Sequence, residues 1–229
     1  MNPAKTLYAR LQAERPQAFE QPGPDGIEIM LAAEDVGAAE RATASWFGNE
    51  APGQWRETGV MYADPYFMLV KDAVRFPDRS FGVYSRLLTP IGRPDGIAVL
   101  PLLGEDLVLI KHFRHATRQF HWEIPRGYGE PGLSPEDTVR QELREELGAV
   151  ASEVITFGHL YSDTGLVGGG INTFAARIGH VGVLEAREGI VAHKVLSSSQ
   201  INKAIANGEI NDGITLGLIA RARASGILA

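Results

Sequence analysis

The sequence predicts an α+β sandwich carrying an N-terminal elaboration, and not a doubly wound parallel sheet. Strand-like and helix-like segments mix without regular βαβ alternation, tight turns separate several short strands, and one strongly amphipathic helix lies among them. A chain of 229 residues suffices for one large domain, or for a smaller one with an added N-terminal part, and 44% hydrophobic with 22% charged residues supports a full-sized core.

The first segment, 1–56, holds helical fragments interrupted by Pro16, Pro22, Gly23 and Pro24. Residues 32–47 have apolar side chains at loosely helical spacing and stop at Gly48 and Asn49. This extension carries no chemistry and reads as packing or subunit contact. The second segment, 57–95, changes to strands at 57–62, 66–74 and 81–89, rich in Val, Leu, Tyr and Phe. Asp64-Pro65 and the run Phe76, Pro77, Asp78, Arg79 supply the turns between them. Pro94, Asp95 and Gly96 mark the boundary to the main domain, 96–229. There the pattern predicts a hairpin of 97–103 and 107–113 across Gly104, Glu105 and Asp106. A helix at 135–147 follows, then strands at 154–161, 172–178 and 190–196, and two closing helices.

Composition excludes several classes. A formal net charge of −6 with no run of Lys and Arg argues against a protein that grips a nucleic-acid backbone. The absence of cysteine removes disulfides, thiolate metal sites and a cysteine nucleophile. No stretch has the apolar length of a signal-peptide core or a membrane span, so a cytoplasmic protein without a membrane partner is expected.

The helix at 135–147 concentrates the chemistry. Ser134 can cap it, Pro135 sits where a missing N–H costs nothing, Glu136 and Asp137 favour the positive end of its dipole, and Gly148 provides a left-handed stop. Val139, Leu143 and Leu147 form one apolar stripe. Glu142, Glu145 and Glu146, at i, i+3 and i+4, converge on its flank. Three glutamates with Arg140 and Arg144 nearby would by themselves be a solvated surface. They would equally suit Mg²⁺, which takes oxygen ligands and bridges carboxylates to substrate phosphates.

The flanking residues decide between these readings. Gly127, Glu142, Leu143, Glu145, Glu146 and Gly148 stand in the register of a Nudix box, and the chain resembles the Nudix hydrolase superfamily. Phe113-Arg114 followed by Trp122, Glu123, Ile124, Pro125, Arg126 and Gly127 resembles the matching stretch of ADP-ribose pyrophosphatases. Asp64, Pro65 and Tyr66, with Asp72, Pro77 and Asp78, are similar to that family's N-terminal sheet, and 208–215 to its closing segment. Two positions depart from the box: Leu133 replaces its first glutamate and Gln141 its arginine.

The resemblance implies a Nudix fold, an α/β/α sandwich with a mixed sheet, preceded by a small antiparallel sheet that pairs two subunits into a homodimer. It implies Mg²⁺, or Mn²⁺ in its place, held by Glu142, Glu145, Glu146 and the backbone carbonyl of Arg126, whose side chain is left free to meet a phosphate. It implies cleavage of a small nucleoside diphosphate linked to another group, an ADP-ribose-like sugar first. A GDP-sugar, a dinucleoside polyphosphate, or a module that binds without turnover are the alternatives. The general base falls on the loop 179–189, which offers Glu185 and, preferred, Glu188; ordinary surface glutamates are the alternative there. Arg114 suits a phosphate contact through its guanidinium fork. Glu123 could bind substrate or metal, or fix Arg126 in a salt bridge. The glycine-rich run 165–170 lacks a following lysine and reads as a mobile loop near the substrate. The histidines, among them His112, His115 and His121, show no metal-ligand spacing.

Overall fold

The computed structural model describes residues 2–23, 25–48, 52–183 and 189–229. The chain forms two units, one of Met1–Gly92 with Asp163–Gly169, the other of Arg93–Ser162 with Gly170–Ala229. Among the described residues no helix is long and apolar enough to cross a membrane.

The first unit contains α1 (Pro3–Glu14), β1 (Glu28–Ile29), α2 (Ala33–Phe47), β2 (Gly59–Ala63), β3 (Met68–Arg75) and β4 (Phe81–Leu88). Asn2 starts α1 by accepting from the Ala4 N–H at 2.9 Å, with Pro3 at the first helical position. β3 is the central strand, antiparallel to β4 along one edge and to β2 and β1 along the other. Leu11, Phe19, Val60, Met68, Val70 and Leu88 form the core. Buried among them, Asp72 accepts from Arg86 Nε at 2.6 Å and from the Tyr8 hydroxyl at 2.5 Å. Burial first, and the Asp72 charge second, push the Tyr8 phenol well above its ordinary range.

The glycine-rich run 165–170 is tied to β4 at one point. Leu87 N–H donates to the Leu166 carbonyl at 2.8 Å, and Gly168 N–H donates to the Leu87 carbonyl at 2.9 Å. Val167 thus pairs in parallel with Leu87 of β4. A Cβ on Gly168 would come 2.6 Å from Leu88 Cδ2, so glycine there lets the backbone approach the strand edge, whose groups need partners.

The second unit contains β5 (Gly96–Leu103), β6 (Asp106–Arg114), β7 (Gln119–Glu123), β8 (Arg126–Gly127), α3 (Pro135–Leu147), β9 (Ala151–Leu160), β10 (Ile171–Ile178), β11 (Ile190–Leu196), α4 (Ser198–Ala206) and α5 (Gly213–Ala224). The sheet order is β11-β6-β5-β10-β9; β10 runs parallel to β5 and the other pairs are antiparallel, so the sheet is mixed. β5 is apolar on both faces because helices cover both. Ile97 and Val99 meet Val139, Leu143 and Leu147 of α3. Ala98, Leu100 and Leu102 meet Ile201 and Ala204 of α4 and Leu218, Ile219 and Ala222 of α5. Each fully buried Leu contributes about 1.5–3 kcal/mol. The result is the α/β/α sandwich with a mixed sheet.

Candidate active site

β5 and β6 share only the pairs Leu102↔Leu107 and Leu103↔Asp106 and then part. β7 takes up the edge of β6 that β5 leaves, pairing Ile110↔Glu123 through Arg114↔Gln119. β8 does the same for β5, pairing Ile97↔Gly127 and Ala98↔Arg126, and Val99 N–H donates to the Pro125 carbonyl at 3.0 Å. Residues 123–127 therefore fill the wedge between two diverging strands. Because Glu123 lies opposite Ile110, its side chain shares a face with His112 and Arg114, two and four residues on.

Glu123 is fully buried beside two arginines and a histidine. Arg114 Nη2 forms a close ion pair with Oε1, His112 Nδ1 stands 3.3 Å from the same oxygen, and Arg126 Nη2 donates to Oε2 at 3.0 Å. Burial alone would push the Glu123 carboxyl up. The polar contacts with His112 and Arg114, together with the charges of Arg126 and Arg114, outweigh it and hold the group below its ordinary value. Arg114 and Arg126 stay about a quarter exposed, 27% and 22% for their side chains, so each keeps an edge toward solvent. Arg126 Nη1 also lies 3.3 Å from Asp212 Oδ1 at the start of α5.

The glutamates stand on α3, which Ser134 caps by accepting from Asp137 N–H at 3.1 Å and Gly148 ends at φ +57°. Val139, Leu143 and Leu147 anchor the helix and so fix the flank beside them. Glu142 lies over β8: a Cβ built on Gly127 would come 1.8 Å from Glu142 Oε1. Glu146 is buried, 2% exposed. Glu145 is exposed and accepts from Gln141 Nε2 at 3.0 Å, while the same amide lies 3.4 Å from Glu130 Oε1. Gln141 thus bridges two acids without a charge. Leu133 is 39% exposed, so its substitution for an acid buries no charge mismatch.

These positions bring Glu142 against Gly127, and Gly127 follows Arg126 directly, so the carboxylate helix and the arginine cluster meet at β8. Among the described residues no three His, Asp or Glu side chains form a ready group for an ion. The donor set nevertheless fits a hard divalent cation. All three side chains end in oxygen, they project from neighbouring positions of one helix, and Glu146 holds its carboxylate out of solvent. The side chain of Arg126 differs from the sequence expectation: it is held by Glu123 and Asp212 because a buried carboxylate needs a cation beside it. Of the readings of Glu123, the structure shows the salt bridge to Arg126, beside a closer one to Arg114. Glu185 and Glu188 lie outside the described residues. Sequence reasoning missed the parts played by His112 and Asp212; nothing in their spacing along the chain signals a contact with Glu123 or Arg126.

Comparison with known proteins agrees with this architecture. Residues 92–193 match the family model described as the NUDIX domain. An uncharacterized Nudix hydrolase of Schizosaccharomyces pombe is 35% identical over 83 residues, which are 36% of this chain and 40% of the relative. The match thus spans less than half of that curated relative. A crystal structure described as that of an ADP compounds hydrolase superposes with a TM-score of 0.62 over 75% of this chain and 95% of the other, at 17% identity. At that identity the likeness is one of fold.

Proposed function

We propose that this chain, which matches the NUDIX domain model at residues 92–193, is a Mg²⁺-dependent hydrolase of a nucleoside diphosphate linked to another group, an ADP-ribose-like sugar first. The observation that carries this reading is the meeting of two opposite charge sets at one short strand. Glu142 lies over Gly127, and Arg126, the residue before it, belongs with Arg114 to the cationic cluster. A cation bound by the carboxylates would face one side of a diphosphate and the guanidinium edges another.

In this reading Glu142, Glu145 and Glu146, with the Arg126 backbone carbonyl, hold the metal. A bound divalent ion supplies neutralisation of the diphosphate and a water of lowered pKa. Arg114 offers its exposed edge to phosphate oxygens, and Glu123 keeps both arginines from swinging away. Little covalent help is needed, since positioning and charge neutralisation supply most of the acceleration in phosphoryl transfer. Glu188 is the preferred general base. The absence of cysteine accords with a cytoplasmic setting. The antiparallel sheet of the first unit, with exposed Tyr62, Tyr66 and Phe67 at its β2–β3 turn, supports a homodimer.

Replacing Glu146 with Gln and following Mg²⁺-dependent cleavage of ADP-ribose tests the reading. Turnover should fall on the order of 100-fold with the fold intact. Near-wild-type turnover would remove the metal site. Chromatography of the products across ADP-ribose, GDP-sugars and dinucleoside polyphosphates separates the substrate classes, and binding without cleavage by the unaltered protein would leave only a binding module.

A further inference from the structure

The wedge segment is closed into a ring by Asp212 and by Thr215, which lies 91 positions beyond Ile124. Ile124 N–H donates to Thr215 Oγ1 at 3.2 Å. Thr215 in turn donates from its N–H and its hydroxyl to Asp212 Oδ2, at 2.8 and 2.7 Å. The other oxygen of Asp212 faces Arg126 Nη1 at 3.3 Å, and Arg126 Nη2 reaches Glu123 at 3.0 Å. Thr215 Oγ1 serves two steps, while the two oxygens of Asp212 serve different ones. Asp212 therefore does two separable things: Oδ2 caps α5, and Oδ1 holds one end of a guanidinium.

We propose that Asp212 is a positioning residue, which sets the plane of the Arg126 guanidinium so that its exposed edge stays aimed beside β8 for an anionic oxygen of the substrate. Glu123 alone holds one Nη, and a planar guanidinium held at one end can still swing about that contact through the side-chain torsions, besides its hindered turn about Nε–Cζ. Fixed at both ends, it presents one orientation. The arrangement also explains how an arginine can sit in the wedge at all. Its charge is shared between a fully buried carboxylate and one whose side chain is 14% exposed, so neither has to neutralise it alone. The inference rests on the proposed hydrolase reading for its kinetic consequence, and not for the geometry.

Two substitutions separate the two tasks of Asp212. In Asp212→Asn the single side-chain oxygen can serve the cap, and the amide NH₂ then opposes Arg126, donor against donor. In Asp212→Ser the hydroxyl caps the helix, serine being a good N-cap, and no second acceptor remains for the guanidinium. Nitrogen-detected NMR of the arginine side chains, with the Arg126 signal assigned from its loss in Arg126→Lys, reads the rotation of the guanidinium without reference to activity. Rotation in Asp212→Ser should be at least about tenfold faster than in the unaltered protein, as expected on losing a partly buried ion-pair partner, with the thermal midpoint little changed. Rotation as slow as before overturns the assignment of Asp212 to Arg126. For ADP-ribose cleavage in Mg²⁺, both variants should raise KM about tenfold and leave kcat within about twofold. Faster rotation with an unaltered KM overturns the claim that the orientation serves the substrate. If the unaltered protein cleaves no diphosphate, the hydrolase reading has failed instead, and titration with inorganic pyrophosphate takes the place of KM: weaker binding by Asp212→Ser supports the inference and equal binding overturns it.

Discussion

Gly127 lies directly beneath the carboxylate of Glu142, so close that a Cβ on Gly127 would meet Oε1 at 1.8 Å and the carboxyl carbon at 2.2 Å. The missing side chain is what lets an acid of α3 rest on the backbone of β8. Gly127→Ala should therefore act on Glu142 first. Stability should fall by about 1–3 kcal/mol, the usual cost of an added methyl in a packed place. Affinity for Mg²⁺ should fall about 10- to 100-fold, as for other changes that misplace a ligand without removing it. Calorimetric metal titration beside thermal unfolding checks both. Unaltered metal affinity in a destabilised variant would mean that Glu142 rests there without serving as a ligand.

That contact shows which parts of the molecule could be read in advance. The helix at 135–147 was legible to the residue, since Ser134, Pro135 and Gly148 act through local backbone chemistry, and so was the strand 190–196. β7 was missed because its first residues, Gln119 and Phe120, are both exposed and its burial does not alternate. β1 and β8 span two residues each, too few for any periodicity. The glutamates of α3 were legible as a set because one helix carries them. The Glu123 cluster was legible only in part. Arg114 and Arg126 are near in sequence, but Asp212 arrives from another element, and only the packing of α5 brings it there. The side chain of Arg126 looked free in the sequence for the same reason.

Acidification should expose the Glu123 cluster. The folded protein holds this carboxyl below its ordinary value of 4.5, so the ionised form contributes stability that is fully present above that pH. That contribution is lost as the pH falls through the lowered folded value. Glu123→Gln should cost about 3 kcal/mol near neutrality, because it takes the carboxylate from Arg114 and leaves Arg126 only that of Asp212. The gap between the two proteins should narrow as the pH falls below 4.5. Urea unfolding at steps from about pH 6 to about pH 3 measures it. A gap that stays constant over that range would show that Glu123 is not the group holding the cluster together.

The proposed homodimer makes a prediction about a turn. Tyr62 and Phe67 stack at 5.2 Å between ring centres where β2 meets β3, and Tyr62 and Tyr66 stay 49% and 57% exposed. Aromatic side chains left in water at a sheet end are common anchors of subunit contact. Sedimentation equilibrium should give twice the chain mass for the unaltered protein, and Tyr66→Asp should shift it toward the single chain. A monomer at concentrations of about 100 μM would remove the dimer.

The far end of the glutamate helix allows strain and space to be told apart. Gly148 closes α3 at φ +57°, a conformation that asparagine tolerates nearly as well as glycine. If that angle were the whole reason for glycine, Gly148→Asn should cost only a few tenths of a kcal/mol. The neighbourhood predicts more. Gly182 N–H donates to the Leu147 carbonyl at 2.8 Å, which draws its backbone onto the helix end. A Cβ on Gly148 would consequently lie 2.9 Å from the backbone nitrogen of Val183 and 2.9 Å from its oxygen, and neither can yield without breaking that contact. Gly148→Asn should then lose about 2 kcal/mol, more than the roughly 1 kcal/mol expected for removing the N-cap with Ser134→Ala. Because Glu188, the base proposed above, follows Val183 by five positions in the sequence, the same variant should also slow turnover more than Ser134→Ala does. Chemical unfolding and steady-state rates of the two variants side by side check the ranking, and a Gly148→Asn protein as stable as the unaltered one would show that the two backbones do not meet there.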